Sequence, residues 1–187
     1  ENLPLTTFSI YLPLVARNFC GGPLYADNFN NAASGWPIDN NSNLQFEYLS
    51  DEYHIQVKAS NYWGAATPGY TDSNYILATD VRNATGVYGT YGLMFGLSDD
   101  WTQFYVFEVD TATDYWIFRY NNGTRTYLTG NYTSYLNSGT ASNRLKVERN
   151  GSVITAYANG YLLTSISDGT YTGSRRVGVF AASYSTP

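Results

Sequence analysis

One cysteine, one histidine and one methionine leave this chain of 187 residues little material for thiol, redox or metal chemistry. Cys20 has no partner for an internal disulfide, so it is either buried or joined to another chain. A zinc site draws on several His or Cys at short spacing, which His54 and Cys20 alone do not supply. Ionised side chains are scarce as well, at 13% of the chain, with ten Lys plus Arg against fifteen Asp plus Glu. The cations stand singly in a chain of net charge −5. With no basic stripe to neutralise phosphates, nucleic acids and anionic membranes are excluded as partners. No Gly-x-Ser-x-Gly elbow is present for a serine hydrolase. No stretch of ten residues repeats apolar positions at helical spacing, and no run reaches the ~20 apolar residues of a membrane-spanning helix.

What the chain has in quantity is tyrosine (19) and glycine (17), with Ser, Thr and Asn in nearly every loop. Such a surface is wetted by hydroxyls and amides rather than by ions. It suits a mature exported protein, extracellular or at the cell surface, after removal of a signal segment. Five Asn-x-Ser/Thr sequons, at Asn40, Asn83, Asn122, Asn131 and Asn150, fit that compartment as candidate glycosylation sites. Short segments rich in Tyr, Val, Ile, Phe and Thr follow one another: LQFEYLS, YHIQVKA, YILATDVRN, YGTYGLMFGL, QFYVFEVD, YWIFRY, RTYLTG, NRLKVERN, SVITAYAN, YLLTSI and RVGVFAAS. They read as antiparallel strands. Asp51-Glu52, Asn122-Gly123, Asn150-Gly151 and Asn159-Gly160 mark tight hairpins between them. Eleven or so such strands predict an all-β, two-sheet antiparallel sandwich. Residues 1–22 form an N-terminal extended arm with a Gly-Gly-Pro hinge, and residues 23–187 form the sandwich.

The order DNFNNAASGW (27–36), YGLMFGLSDDWTQFYVFEV (91–109), YWIFRYNNG (115–123), NRLKVERNGSVITAYANGYLL (143–163) and RRVGVFAAS (175–183) resembles the concanavalin A-like jelly rolls. Within them it is similar to the laminin-G-like and glycoside-hydrolase-family-16-like domains of secreted bacterial proteins. The resemblance covers residues 25–184 and implies the jelly-roll fold. It leaves function open, because that fold carries lectins, hydrolases, adhesion modules and structural domains alike.

A family 16 hydrolase implies two carboxylates on one strand face, about 5 Å apart for retention. Glu108 and Asp110 in FEVDTATD have the i, i+2 spacing, but Ala112 and Thr113 occupy the stretch where a second Glu belongs. The expectation is therefore a half-exposed strand end and no enzyme. His54 lies opposite Tyr53, Ile55 and Val57 on its strand and shares a polar face with Gln56 and Lys58. No cofactor is called for; a structural calcium would look to the loop carboxylates Asp27, Asp99 and Asp100. Sugar rings stack on aromatic side chains while amides and carboxylates bond the hydroxyls. The candidates for such glycan contacts are Tyr62, Trp63, Trp101 and Tyr115. Trp36 and Trp116 stand where core tryptophans belong, and NYWGAATPGY (61–70) reads as an aromatic loop.

The segment LTTFSIYLPLVARNFCGG (5–22) alternates Phe8, Ile10, Leu12 and Leu14 with Ser9, Tyr11, Pro13 and Val15. It predicts a strand ~35 Å long, with an apolar face that something must cover. Pro13 donates no hydrogen bond, which points to an edge position or an end of pairing there. The first expectation is a structural subunit that donates this strand to a neighbouring copy, with Phe8, Ile10, Leu12 and Leu14 as plugs, in a head-to-tail fibre. The alternative is an extra strand on its own sandwich, in a carbohydrate-binding module or adhesin whose partner is a polysaccharide or cell-surface glycan.

Overall fold

The computed structural model describes residues 6–17 and 23–184, and all the regular structure there is β. Sixteen strands follow in chain order: β1 (Thr6–Arg17), β2 (Pro23–Asp27), β3 (Asp39–Asn40), β4 (Leu44–Leu49), β5 (Glu52–Val57), β6 (Tyr62–Ala66), β7 (Thr71–Asp72) and β8 (Tyr75–Asn83). They continue with β9 (Gly89–Leu97), β10 (Gln103–Asp110), β11 (Asp114–Asn121), β12 (Thr124–Tyr132), β13 (Asn143–Asn150), β14 (Val153–Ala158), β15 (Tyr161–Ser167) and β16 (Arg175–Ser183). One sheet has nine strands in the order β15-β14-β13-β8-β1-β5-β4-β3, with β2 beside β1. The other has seven, in the order β12-β11-β10-β9-β16-β6, with β7 beside β16. Every pairing is antiparallel, and the chain has the concanavalin A-like jelly-roll fold.

The turns form where the sequence places residues that tolerate positive φ. Asn122 and Gly123 lie at φ 46° and 87°, and Asn159 and Gly160 at 51° and 89°. These are the mirror-image turns whose twist matches paired strands. In the β4–β5 hairpin the same geometry falls on Ser50 and Asp51, at 56° and 59°. Between the sheets, Ile55, Leu77, Val81, Leu145, Val147 and Ile154 meet Tyr91, Leu93, Phe95, Tyr105, Phe107 and Val179 in one core, all at most 1% exposed.

The N-terminal strand is neither an arm nor an edge. β1 pairs with β8 along one side, from Phe8↔Asn83 to Arg17↔Ile76. Along its other side it pairs first with β5, at Thr6–Ile10, and then with β2, at Leu14–Arg17. Pro13 falls where one partner has ended and the next has not begun, inside the register shift against β8 between Tyr11 and Val15. A residue without an N–H is tolerated there because the ladder is already interrupted. Phe8 is buried against the Tyr91 ring, centroids 5.6 Å apart, and Ala16 joins the same core. The expected donation to a neighbour therefore finds no support, since the backbone of β1 is partnered on both sides within its own chain. The side chains of Ile10, Leu12 and Leu14, together with Cys20 and Gly21-Gly22, lie outside the described residues. NYWGAATPGY is likewise not a plain loop. Its first half is β6, paired with β16, where Gly64 leaves the space that the Leu44 side chain fills.

Phe8→Ala should lower the unfolding free energy by about 3–5 kcal/mol, the usual cost of removing a buried phenyl ring. Urea denaturation measures it, and a loss under 1 kcal/mol would mean that β1 is not part of the folded core.

Candidate functional site

The two outer faces of the sandwich differ in chemistry. On the nine-stranded sheet, strand alternation turns Arg82, Arg144 and Lys146 outward, each beside a carboxylate: Glu52 at 3.1 Å, Asp80 at 2.7 Å and Glu148 at 2.7 Å. His54 sits on this face, 3.2 Å from Glu52, as its strand pattern requires. On the seven-stranded sheet, β9 is buried at every position and β10 at all but its first. Tyr105, Phe107 and Val109 face the other sheet, so Phe104, Val106 and Glu108 must face out. There Phe104 and Val106 join Met94, Leu97, Phe118, Phe180 and Ala182 in a second apolar cluster, roofed by half-buried Trp63, Trp101, Tyr120 and Tyr184. Phe104 and Tyr120 stack at 4.6 Å and 14°, and Trp63 stacks on Phe180 at 5.9 Å.

A polar centre lies on this face toward β12. Glu108 is 2% exposed, accepts a hydrogen bond from Thr90 Oγ1 at 2.9 Å, and stands 3.6 Å from Arg125 Nη1. The same nitrogen donates to the hydroxyls of Tyr127 (3.1 Å) and Tyr184 (3.2 Å), and the guanidinium carbon lies 4.0 Å from the Phe118 ring centroid. Burial pushes the Glu108 carboxyl above its ordinary value, against the opposing pull of Arg125 and Thr90. Asp110 is also buried, and its Oδ1 accepts the backbone N–H groups of Ala112 and Asp114 at 2.9 Å each. The half-exposed strand end expected at these two carboxylates is therefore corrected. Both are enclosed, one in an ion pair and the other as a turn cap.

At the opposite edge of the face, a groove of about 500 Å³ is lined by Leu44 and Phe46 of β4, by Tyr62, Trp63 and Gly64 of β6, and by Trp101. Three of the four aromatics singled out from the sequence meet here. Trp101 closes the β9–β10 connection at φ 63°, with the Arg176 guanidinium 5.1 Å from its ring. The fourth, Tyr115, is 6% exposed in the inter-sheet core and donates its hydroxyl to Leu163 O. Trp116, expected in the core, turns out to the face instead. Its indole lies against β12 at Gly130, where a Cβ would stand 2.3 Å from Trp116 Cδ1, beside a concavity of about 380 Å³ shared with Tyr127. One residue of register exchanges the two roles. Trp36 is in the core as expected, its Nε1 donating to Asp27 at 2.9 Å.

The remaining candidates are distributed singly. Asp27 also accepts from Phe29 N (2.8 Å) and the Tyr25 hydroxyl (3.2 Å), so its oxygens are occupied by donors. Asp99 is exposed near Arg176, and Asp100 is lowered to about 2 by hydrogen bonds from Ser98 and Thr102. Among the described residues no three His, Cys, Asp or Glu converge as a metal set. Asn40, Asn122, Asn131 and Asn150 are exposed. Asn83 is fully buried, its Oδ1 taken by Thr85 N and Gly86 N and its amide by Val87 O, so that sequon is closed to a glycan.

The aromatic layer of Phe104, Phe118, Tyr120 and Phe180, and the Arg125–Glu108 pair, were not among the sequence candidates. Their signal was the unbroken apolar runs GTYGLMFGL and QFYVFEV, which mark strands covered on both faces.

The fold is similar to that of the carbohydrate binding module CBM66 from Bacillus subtilis, at 17% identity and TM-score 0.65 over 80% of this chain and 92% of that one. It is also similar to a native glycosidic hydrolase, at 10% identity and TM-score 0.56 over 92% and 83%. A GH43_12 protein retrieved from capybara gut metagenome matches at 12% identity and TM-score 0.53, over 88% of this chain and 37% of that one. No protein-family profile and no curated protein matches the chain.

A carboxyl whose folded-state pKa lies above its ordinary value, 4.5 for Glu108, stabilises the fold when protonated. That contribution is complete below pH 4.5 and fades as pH rises through the folded-state value. Denaturant titrations between about pH 4 and about pH 8 should therefore show the wild type losing more stability with rising pH than Glu108→Gln. Parallel profiles would count against a buried, proton-favouring Glu108.

Proposed function

We propose that this chain is a secreted carbohydrate-binding module that holds a glycan against the outer face of its seven-stranded sheet, without catalysing its cleavage. The observation that carries this reading is the convergence of Tyr62, Trp63 and Trp101 around one groove, at the edge of an aromatic face. Aromatic rings offer flat apolar surface to the C–H face of a sugar, and amides, hydroxyls and charged groups nearby take its hydroxyls. Asn61 at the groove and Arg125, Tyr127 and Tyr184 further along the face supply such groups. The likeness to the binding module CBM66 supports the same reading at the level of fold. The non-catalytic part rests on the carboxylates. Asp110 is committed to a turn, Glu108 is paired with Arg125, and Thr113 stands where a further acid would be needed. Fibre formation by strand donation is not carried forward, because β1 is already paired within its own sheet.

Affinity electrophoresis against cellulose derivatives, xylan, β-1,3-glucan and pectin should show retardation by at least one of them. Tyr62→Ala and Trp101→Ala should each weaken that binding roughly tenfold, equivalent to about 1.4 kcal/mol, whereas Tyr115→Phe leaves it unchanged. Absence of retardation on all four, or equal binding by all three variants, would defeat the reading. Incubation with the retarding polysaccharide should release no reducing ends; release that disappears in Glu108→Gln would make the protein an enzyme.

A further inference from the structure

A second aromatic surface stands at the other end of the strand order, away from the β4–β6 groove. Tyr135, in the β12–β13 connection, and Tyr161, at the start of β15, stack with ring centroids 4.4 Å apart and planes within 7°. Both stay exposed, at 44% and 56%, and Tyr132 and Leu162 beside them in the chain are more than half exposed. Residues 131–143 and 157–163, which build this corner, contain no charged side chain.

The pair is held from below by two asparagines. Asn159, at φ 51° in the β14–β15 turn, donates through Nδ2 to Tyr135 O (2.8 Å) and Asn143 Oδ1 (2.9 Å), and its Oδ1 accepts Arg144 N. Asn143 is fully buried; its Oδ1 also accepts Asn137 N and its Nδ2 donates to Tyr91 Oη and Asn137 O. Connection, strand and turn are thereby locked in one geometry. The two stacked rings are held at the surface by this frame, so contact with a ligand would cost little ordering.

We infer that the Tyr135–Tyr161 stack is a second carbohydrate-contact surface, which takes a pyranose ring on the open face of a tyrosine and operates independently of the groove at Trp63. A sugar fits this chemistry better than a charged partner, because residues 131–143 and 158–163 offer ring faces, amides and hydroxyls and no charged side chain of their own. The inference rests on the carbohydrate-binding reading in its choice of ligand class, and uses none of that site's residues.

The test is an NMR titration of the isotope-labelled wild-type protein with cellohexaose, xylohexaose, laminarihexaose and a hexagalacturonide, following the Tyr135 and Tyr161 amide and ring signals and the Trp63 and Trp101 indoles. With at least one sugar, saturable shifts are expected at both places. Tyr135→Ala/Tyr161→Ala should remove the corner's shifts and leave those of the indoles. Because both tyrosines are half exposed, the variant's amide spectrum away from the corner should be unchanged and serves as the folding control. If the double variant is misfolded, Tyr161→Phe decides: it keeps the stack, and the corner's affinity should fall less than threefold. Shifts at the indoles alone would overturn the second surface and leave the first standing. Shifts at the corner alone would do the reverse. Shifts at neither would overturn both.

Discussion

The nine-stranded sheet depends on one strand, the N-terminal β1, whose backbone is hydrogen-bonded on both sides. On one side lie β8 and the strands that continue to β15; on the other lie β5, β4 and β3. Remove β1 and the sheet falls into three parts, β15-β14-β13-β8, β5-β4-β3 and β2 alone, with the edges of β8, β5 and β2 left unpaired. Buried N–H and C=O groups left without partners are costly, which is why an early segment of the chain is drawn into the middle of the sheet. Pro13 is compatible with this place only because it falls in the short gap where β5 has given way to β2.

That placement reaches the candidate site through β5 and β4. β4 contributes Leu44 and Phe46 to the groove where Tyr62, Trp63 and Trp101 meet, so the groove is made by both sheets and not by the aromatic strand alone. Gly64 allows the approach, since any side chain there would occupy the space of the Leu44 methyl groups. The second sheet makes its own contribution by being covered on both faces. Its inner face joins the main core, and its outer face carries a smaller core whose upper surface is aromatic rings and the guanidinium groups of Arg125 and Arg176.

The outer face is thus apolar below and mixed above. The nine-stranded sheet carries ion pairs across its middle strands, and its exposed apolar side chains, Leu49, Val153, Tyr161 and Leu162, stand at strand ends and on the edge strand β15. The enclosed Glu108 sits within this contrast: an acid without full hydration, kept in place by Thr90 and Arg125 on a face where water is largely displaced by rings.

By itself the sequence determined the class of fold, most of the strands from β4 onward and the tight turns between them, because alternation, β-branched and aromatic residues and Asn-Gly pairs act locally. It also determined that Tyr62, Trp63 and Trp101 were worth attention, and that His54 lies on a polar face. What only the tertiary structure decided was which partner each strand meets. The apolar alternation of β1 requires a cover but does not say whose, and the pairing of its backbone on both sides within its own sheet leaves the fibre expectation without support. Tyr115 and Trp116 are neighbours in a strand, and the sheet's facing alone sent the first to the core and the second outward. Glu108, Arg125, Thr90 and Tyr184 lie far apart in the chain, so no local pattern announces that β9, β10, β12 and the residue after β16 bring them together. Local physics fixes the shape of each piece, and long-range burial chooses among the few ways of putting the pieces side by side.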